Sequence, residues 1–183
     1  MKEQQKKFIT LFAWCVVVLF VVRCLISLKS IISGVSLYDM YGYASEAIGV
    51  AVILAATYEK ILWRINPLEK TPKLARHYSG TLKSNYDNIE RTGTLIVKQT
   101  LLSVHVKLVT DESKSKSLSA SIDEILGEAQ LTYCYLNTPK SEFRNRSEIH
   151  YGTAILTITE EKLEGQYYTD RKTVGDMYFV ANK

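Results

Sequence analysis

Between Leu163 and Phe179 the chain reads LEGQYYTDRKTVGDMYF, with Arg171 in a polar turn beside Tyr168, Thr169, Asp170 and Thr173. A planar guanidinium can hold two oxygens of one phosphate and can stack on an aromatic face, and tyrosine rings accept any base by stacking. The same residues also fit an ordinary solvated hairpin tip in which Arg171 pairs with Asp170, a contact usually worth less than about 1 kcal/mol. Both readings stand at this point. Tyr133, Tyr135, Tyr151, Tyr167 and Tyr168 crowd the segments nearest the turn, which suits stacking and suits an aromatic core equally. Strand alternation sends Tyr167 and Tyr168 to opposite faces, so at most one of them points inward.

Other chemistries have little to work with. The sequence has no glycine-rich phosphate loop, no Cys/His metal spacing and no nucleophile elbow, and His77, His105 and His150 are scattered singly. The chain therefore reads as a binding protein and not an enzyme, with no cofactor and no metal implied. Its 23 basic and 19 acidic side chains give a net charge of +4. From residue 66 onward, however, there are 16 basic and 15 acidic side chains, a net of only +1. Phosphate-backbone binding needs an excess of positive charge over a broad face, so a long nucleic acid is excluded as a partner.

The elements that must carry these residues fall into two parts. Residues 8–28 read FITLFAWCVVVLFVVRCLISL, with Arg23 as the single charge, long enough to cross a bilayer as a helix. Residues 43–63 form a second expected span, with Tyr38, Tyr41 and Tyr43 at one end and Tyr58 and Trp63 at the other as interfacial belts. Lys2, Lys6 and Lys7 precede the first span and Lys60, Arg64, Lys70, Lys73 and Arg76 follow the second, against a lone Lys29 between them. That asymmetry predicts both termini on the cytoplasmic side. Cys15 and Cys24 lie within the first span, leaving Cys134 without a partner for a disulfide in the remainder. Residues 1–65 are thus the expected transmembrane hairpin and residues 66–183 the cytosolic domain.

Beyond Pro67 and Pro72 the apolar period changes to two: Leu102, Val104, Val106 and Leu108 alternate with polar residues, as do Ala154, Leu156 and Ile158. Strands are expected near 76–86, 92–99, 101–110, 117–123, 128–137, 149–160, 162–169 and 174–182. A parity shift near Thr100 marks a bulge or a turn. Glu160-Glu161 and Arg171-Lys172 read as tight turns and Ser113–Ser117 as a longer polar loop. Eight short strands with short connections predict an all-β antiparallel meander closed into a small barrel, since closure removes exposed edges. An open β-sandwich is the alternative.

Two N-terminal spans, a strand-rich domain, LTYCYLNTP at 131–139, HYG at 150–152 and LEGQYYTDRKTVGDM at 163–177 together resemble the SMODS-associating two-transmembrane β-barrel effectors of bacterial CBASS antiphage defence. The resemblance covers essentially the whole chain and is most specific in the tail motif. It implies a barrel that binds a cyclic dinucleotide made by a partner CD-NTase, followed by homo-oligomerisation and disruption of the bacterial inner membrane. By motif it implies Arg171, Thr169, Tyr168, Tyr135, Asn137 and His150 as ligand contacts. Tyr78 is added because the first strand must meet the last in a closed barrel. A ligand with two phosphates and two bases needs one or two cations and aromatic stacking, and a near-neutral domain suits it.

In the second span Ala47, Ala51 and Ala55 recur every four residues, with Gly49 and Ser45 as a second small pair. Such faces let helix backbones approach closely in lipid, and they are the expected packing and oligomerisation surface. Arg23 and Glu46 could face one another between copies and admit water. The competing function is a membrane-tethered, lipocalin-like carrier of an apolar small molecule without toxic effect.

Overall fold

A computed structural model of the chain describes residues 3–27 and 36–182. It divides into two compact units, Met1–Glu69 and Lys70–Lys183. Lys2, Leu28 and Lys29, which enter the expected spans and orientation, lie outside the described residues.

The first unit is helical. Helix α1 spans Glu3–Ile26 and α2 spans Leu37–Lys60. Both are long and apolar enough to cross a membrane. Helix α2 starts six residues before the expected span because Ser36 and Asp39 form a capping box. The Ser36 hydroxyl accepts from the Asp39 amide at 3.2 Å, while the Asp39 carboxylate accepts from the Ser36 amide at 3.0 Å. At the other end α2 stops at Lys60, and Trp63 is fully buried in a short 3₁₀ turn, Leu62–Arg64, instead of standing in an exposed belt. Arg23 of α1 donates to Glu46 of α2 at 2.7 Å and lies 4.6 Å from the Tyr43 ring centre. This pair closes within one chain, so neither charge enters the apolar layer uncompensated. Ala47 and Ala51 are buried, Ala55 is half-buried, and Gly49 is exposed on another face. The alanine stripe is therefore already covered within the hairpin.

The second unit is a closed barrel of eight strands in sequence order, each antiparallel to its neighbours: β1 (His77–Ser84), β2 (Glu90–Gln99), β3 (Val104–Thr110), β4 (Ser113–Ile125), β5 (Glu128–Pro139), β6 (His150–Ile158), β7 (Lys162–Thr169) and β8 (Val174–Ala181). Closure is made by β1 and β8, where Gly80 stands opposite Phe179 and Tyr78 opposite Ala181. Pairing around the full circle leaves neither of the open edges a sandwich would carry. Alternate residues fill the interior: Leu95, Val97, Val104, Val106, Leu131, Leu156, Leu163, Met177 and Phe179 are all buried.

One local expectation is corrected and another is met. Ser113–Ser117 is strand, not loop, because Ser115 turns inward between Leu108 and Asn137, and a small hydroxyl there reads like turn sequence. Near Thr100 the chain turns, with the Thr100 amide donating to the Ser103 carbonyl at 2.8 Å. A separate bulge lies between Ser117 and Ser119, where Leu118 is extruded to solvent. The β4–β5 hairpin turns at Leu126 and Gly127, both with positive φ (53° and 85°), the signature of a two-residue type I′ turn.

One end of the barrel is plugged by the chain that leads into β1. Leu74 joins the core, its amide donating to the Gln99 side chain at 2.9 Å, while Gln99 donates to the Pro72 carbonyl at 2.8 Å. The other end is open, and its rim is made by the β1–β2, β3–β4, β5–β6 and β7–β8 connections.

Candidate functional site

The open end leads into a cavity of about 370 Å³, within the size range of small-molecule sites. Its depth is organised by β5, whose inward residues run from Asn137 at the rim through Tyr135 and Tyr133 to Leu131 in the closed core. Leu82, Leu108 and Met177 complete an apolar and aromatic lower wall, together with Tyr167 from β7. Arg91, Arg146, Arg171, Asp87, Glu112 and His150 crowd the mouth.

Glycines directly across the strands make room for two of the tyrosines. Tyr135 pairs with Gly152 and Tyr167 with Gly175. A Cβ at Gly152 would come within 2.4 Å of the Tyr135 ring, and one at Gly175 within 2.5 Å of the Tyr167 ring. Each ring therefore lies over its glycine, and any other residue there would move it. The Tyr133 and Tyr135 rings are 5.8 Å apart and tilted by 47°, a favourable aromatic geometry. Burial pushes both phenols above their ordinary pKa, so they remain neutral donors. The Tyr133 hydroxyl is buried and has no hydrogen-bond partner among the described residues.

The mouth is electrostatically built. Arg91 grips Asp87 with both terminal nitrogens, and its Nε donates to Glu112 Oε2 at 3.0 Å. Arg146 donates to the other Glu112 oxygen at 2.7 Å. The hydrogen-bonded Arg91 guanidinium holds the Asp87 carboxyl down to about 2. Arg171 sits in the β7–β8 turn, fixed by the Thr169 amide donating to the Thr173 carbonyl at 3.0 Å and by the Thr169 and Thr173 hydroxyls 2.7 Å apart. Its guanidinium donates to the Ser147 hydroxyl at 3.1 Å, and no carboxylate lies within ion-pair distance among the described residues. Asp170, its sequence neighbour, accepts instead from the Tyr151 amide at 3.2 Å. The solvated Arg171–Asp170 pair is thus absent, and Arg171 turns to the cavity.

Of the residues expected from sequence, Arg171, Thr169, Tyr135, Asn137 and His150 meet around this one cavity. Two do not. Tyr168 is half-exposed on the outer face, as alternation requires once Tyr167 points inward. Tyr78 lies at the plugged end, where its hydroxyl accepts from the Ala75 amide at 2.9 Å, because β1 enters from that end and reaches the mouth only near Ser84. Sequence reasoning missed Arg91, Arg146, Asp87 and Glu112, which come from three separate rim elements. Residues 144–147 carry two arginines in a short polar connection, a signal that has meaning only beside Arg171.

A chain with these features has known relatives. It is 28% identical over 182 residues to the CD-NTase-associated protein 15 of Staphylococcus schleiferi, covering 97% of each chain. Residues 69–180, the whole barrel with the plug before it, match the family model described as Cap15, cyclic dinucleotide receptor domain. The arginine-rimmed, tyrosine-walled cavity lies inside the matched region, and the chain belongs to the Cap15 cyclic dinucleotide receptor family.

Proposed function

We propose that the protein is a CBASS effector whose barrel takes up a cyclic dinucleotide made by a partner CD-NTase, and that uptake drives self-association of the helical hairpins and disruption of the bacterial inner membrane. The observation that carries the ligand reading is the division of the cavity: tyrosine rings line its wall and three arginines its mouth. Bases can stack below while phosphates meet guanidinium groups above. Membership in a cyclic dinucleotide receptor family supports the same ligand. An apolar cargo, the competing reading, gains nothing from three arginines at the entrance.

For the membrane step, support comes from two helices of membrane-crossing length on the same chain as the receptor. The ligand must bind the associated state more tightly than the resting one, since only differential affinity shifts an equilibrium. Its test is co-expression with an active CD-NTase while membrane potential and growth are followed. Depolarisation that requires both proteins is the expected result. Unchanged potential, with the messenger present and bound, removes the membrane step.

A further inference from the structure

The three arginines at the mouth are not equally engaged. Arg171 meets the neutral hydroxyl of Ser147. Arg91 and Arg146 share Glu112, which gives a different oxygen to each, Oε2 to Arg91 at 3.0 Å and Oε1 to Arg146 at 2.7 Å. A phosphodiester has the same faculty: two equivalent oxygens share one negative charge, and guanidinium groups bind both kinds of anion by the same fork.

We propose that Arg91 and Arg146 form a phosphodiester subsite of the cavity, distinct from Arg171, and that Glu112 holds this subsite until a ligand phosphate replaces it. This rests on the cyclic dinucleotide reading above and deepens it. Both arginines and Glu112 line the cavity that Arg171 lines, and the ligand brings a second phosphate that Arg171 alone does not serve. Charge supports the exchange. Asp87, Arg91, Glu112 and Arg146 sum to zero, so the cluster attracts no anion while Glu112 stays and carries one net positive charge once it leaves.

The local structure allows Glu112 to leave alone. Its backbone is fastened independently of its side chain: its amide donates to the Thr110 hydroxyl at 3.3 Å, and its carbonyl accepts from the Lys140 amide at 2.9 Å. Its side chain is about one-third exposed, so water is at hand for the displaced carboxylate. Asp87, by contrast, grips Arg91 from the far edge with both oxygens and orients it. Displacement rewards only a ligand that presents a phosphate to both Arg91 and Arg146. A mononucleotide satisfied at Arg171 leaves Glu112 in place, which makes the device a discriminator for ligands with two phosphates.

The test is calorimetry on the full chain in detergent, with cyclic di-AMP, cyclic di-GMP and cyclic GMP–AMP as probes and AMP as the single-phosphate control. Glu112→Gln is expected to bind the preferred cyclic probe at least fivefold more tightly than wild type and to leave AMP binding unchanged. Arg146→Gln, at a half-exposed position that does not threaten folding, is expected to bind the cyclic probe at least tenfold more weakly. Glu128→Gln, at the start of β5 away from the mouth, controls for general charge and should match wild type. Equal or weaker binding by Glu112→Gln, or unchanged binding by Arg146→Gln, overturns the subsite while loss of binding in Arg171→Ala leaves the ligand reading intact. A wild-type chain that binds none of the cyclic probes overturns both.

Discussion

Tyr135 stands directly across the sheet from Gly152, close enough that a Cβ on Gly152 would come within 2.4 Å of its ring. The position of a cavity tyrosine is thereby set by the absence of a neighbour's side chain. Gly152→Ala should displace the ring, destabilise the barrel by about 1–3 kcal/mol through overpacking, and weaken cyclic dinucleotide binding. Paired thermal melts and calorimetry check this; a melt and an affinity both like wild type would show that the ring has slack.

Arg171→Ala should act almost wholly on the ligand. The guanidinium meets only a hydroxyl among the described residues, so thermal stability should change by less than about 0.5 kcal/mol. Losing a charge-assisted contact of about 1.5–3 kcal/mol corresponds to roughly ten- to a hundredfold in affinity. Retained affinity in calorimetry would remove Arg171 from the site.

Tyr133→Phe deletes a buried hydroxyl that has no partner among the described residues. The ligand-free barrel should gain about 1 kcal/mol or more. A lower melting temperature in the variant would instead reveal a bound water satisfying the hydroxyl.

Proton linkage gives opposite signs at the two pH extremes. The Asp87 carboxyl, held down to about 2 by Arg91, contributes stability that is complete above the unfolded value of about 4 and lost as pH falls from there towards 2. Tyr133 and Tyr135 are raised by burial, so their contribution is complete below about pH 10 and lost as the pH rises beyond it. Melting temperature followed against pH should fall at both ends, and Asp87→Asn should flatten the acidic limb. An acidic limb identical in the variant would assign acid sensitivity elsewhere.

Ala51 is fully buried in the helical unit, whereas Gly49 is exposed. Ala51→Leu should therefore disrupt the hairpin of a single chain, at about 1–3 kcal/mol, while Gly49→Leu should leave each hairpin intact and reduce association between copies. Dye release from vesicles and crosslinking separate the two effects. Full release with Gly49→Leu would place the contact between copies on another face.

Strand number and most boundaries were legible because they follow from period-two alternation and turn residues, which are local, whereas closure rests on the pairing of β1 with β8, far apart in the chain, and the sequence left an open sandwich as the alternative. The place of Arg171 in the β7–β8 turn was legible for the same reason, since its hairpin is contiguous. Tyr78 was misplaced because alternation predicts the face a residue occupies but not its height along the barrel. Glu112 and Arg146 escaped because a salt bridge between residues 34 positions apart leaves no periodic trace, and its meaning appears only when two rim connections converge. Ser115 illustrates a third limit: serine in a strand looks like a loop until its inward neighbours are known.

Leu74 lies before the first strand yet fills the barrel floor, locked by Gln99. A truncation trimmed to the start of β1 would therefore remove a core side chain and open a second hole opposite the mouth. Soluble expression should succeed for a fragment beginning at about Lys70 and give an aggregating or leaky product for one beginning at His77, so crystallographers and screeners should cut ahead of the plug.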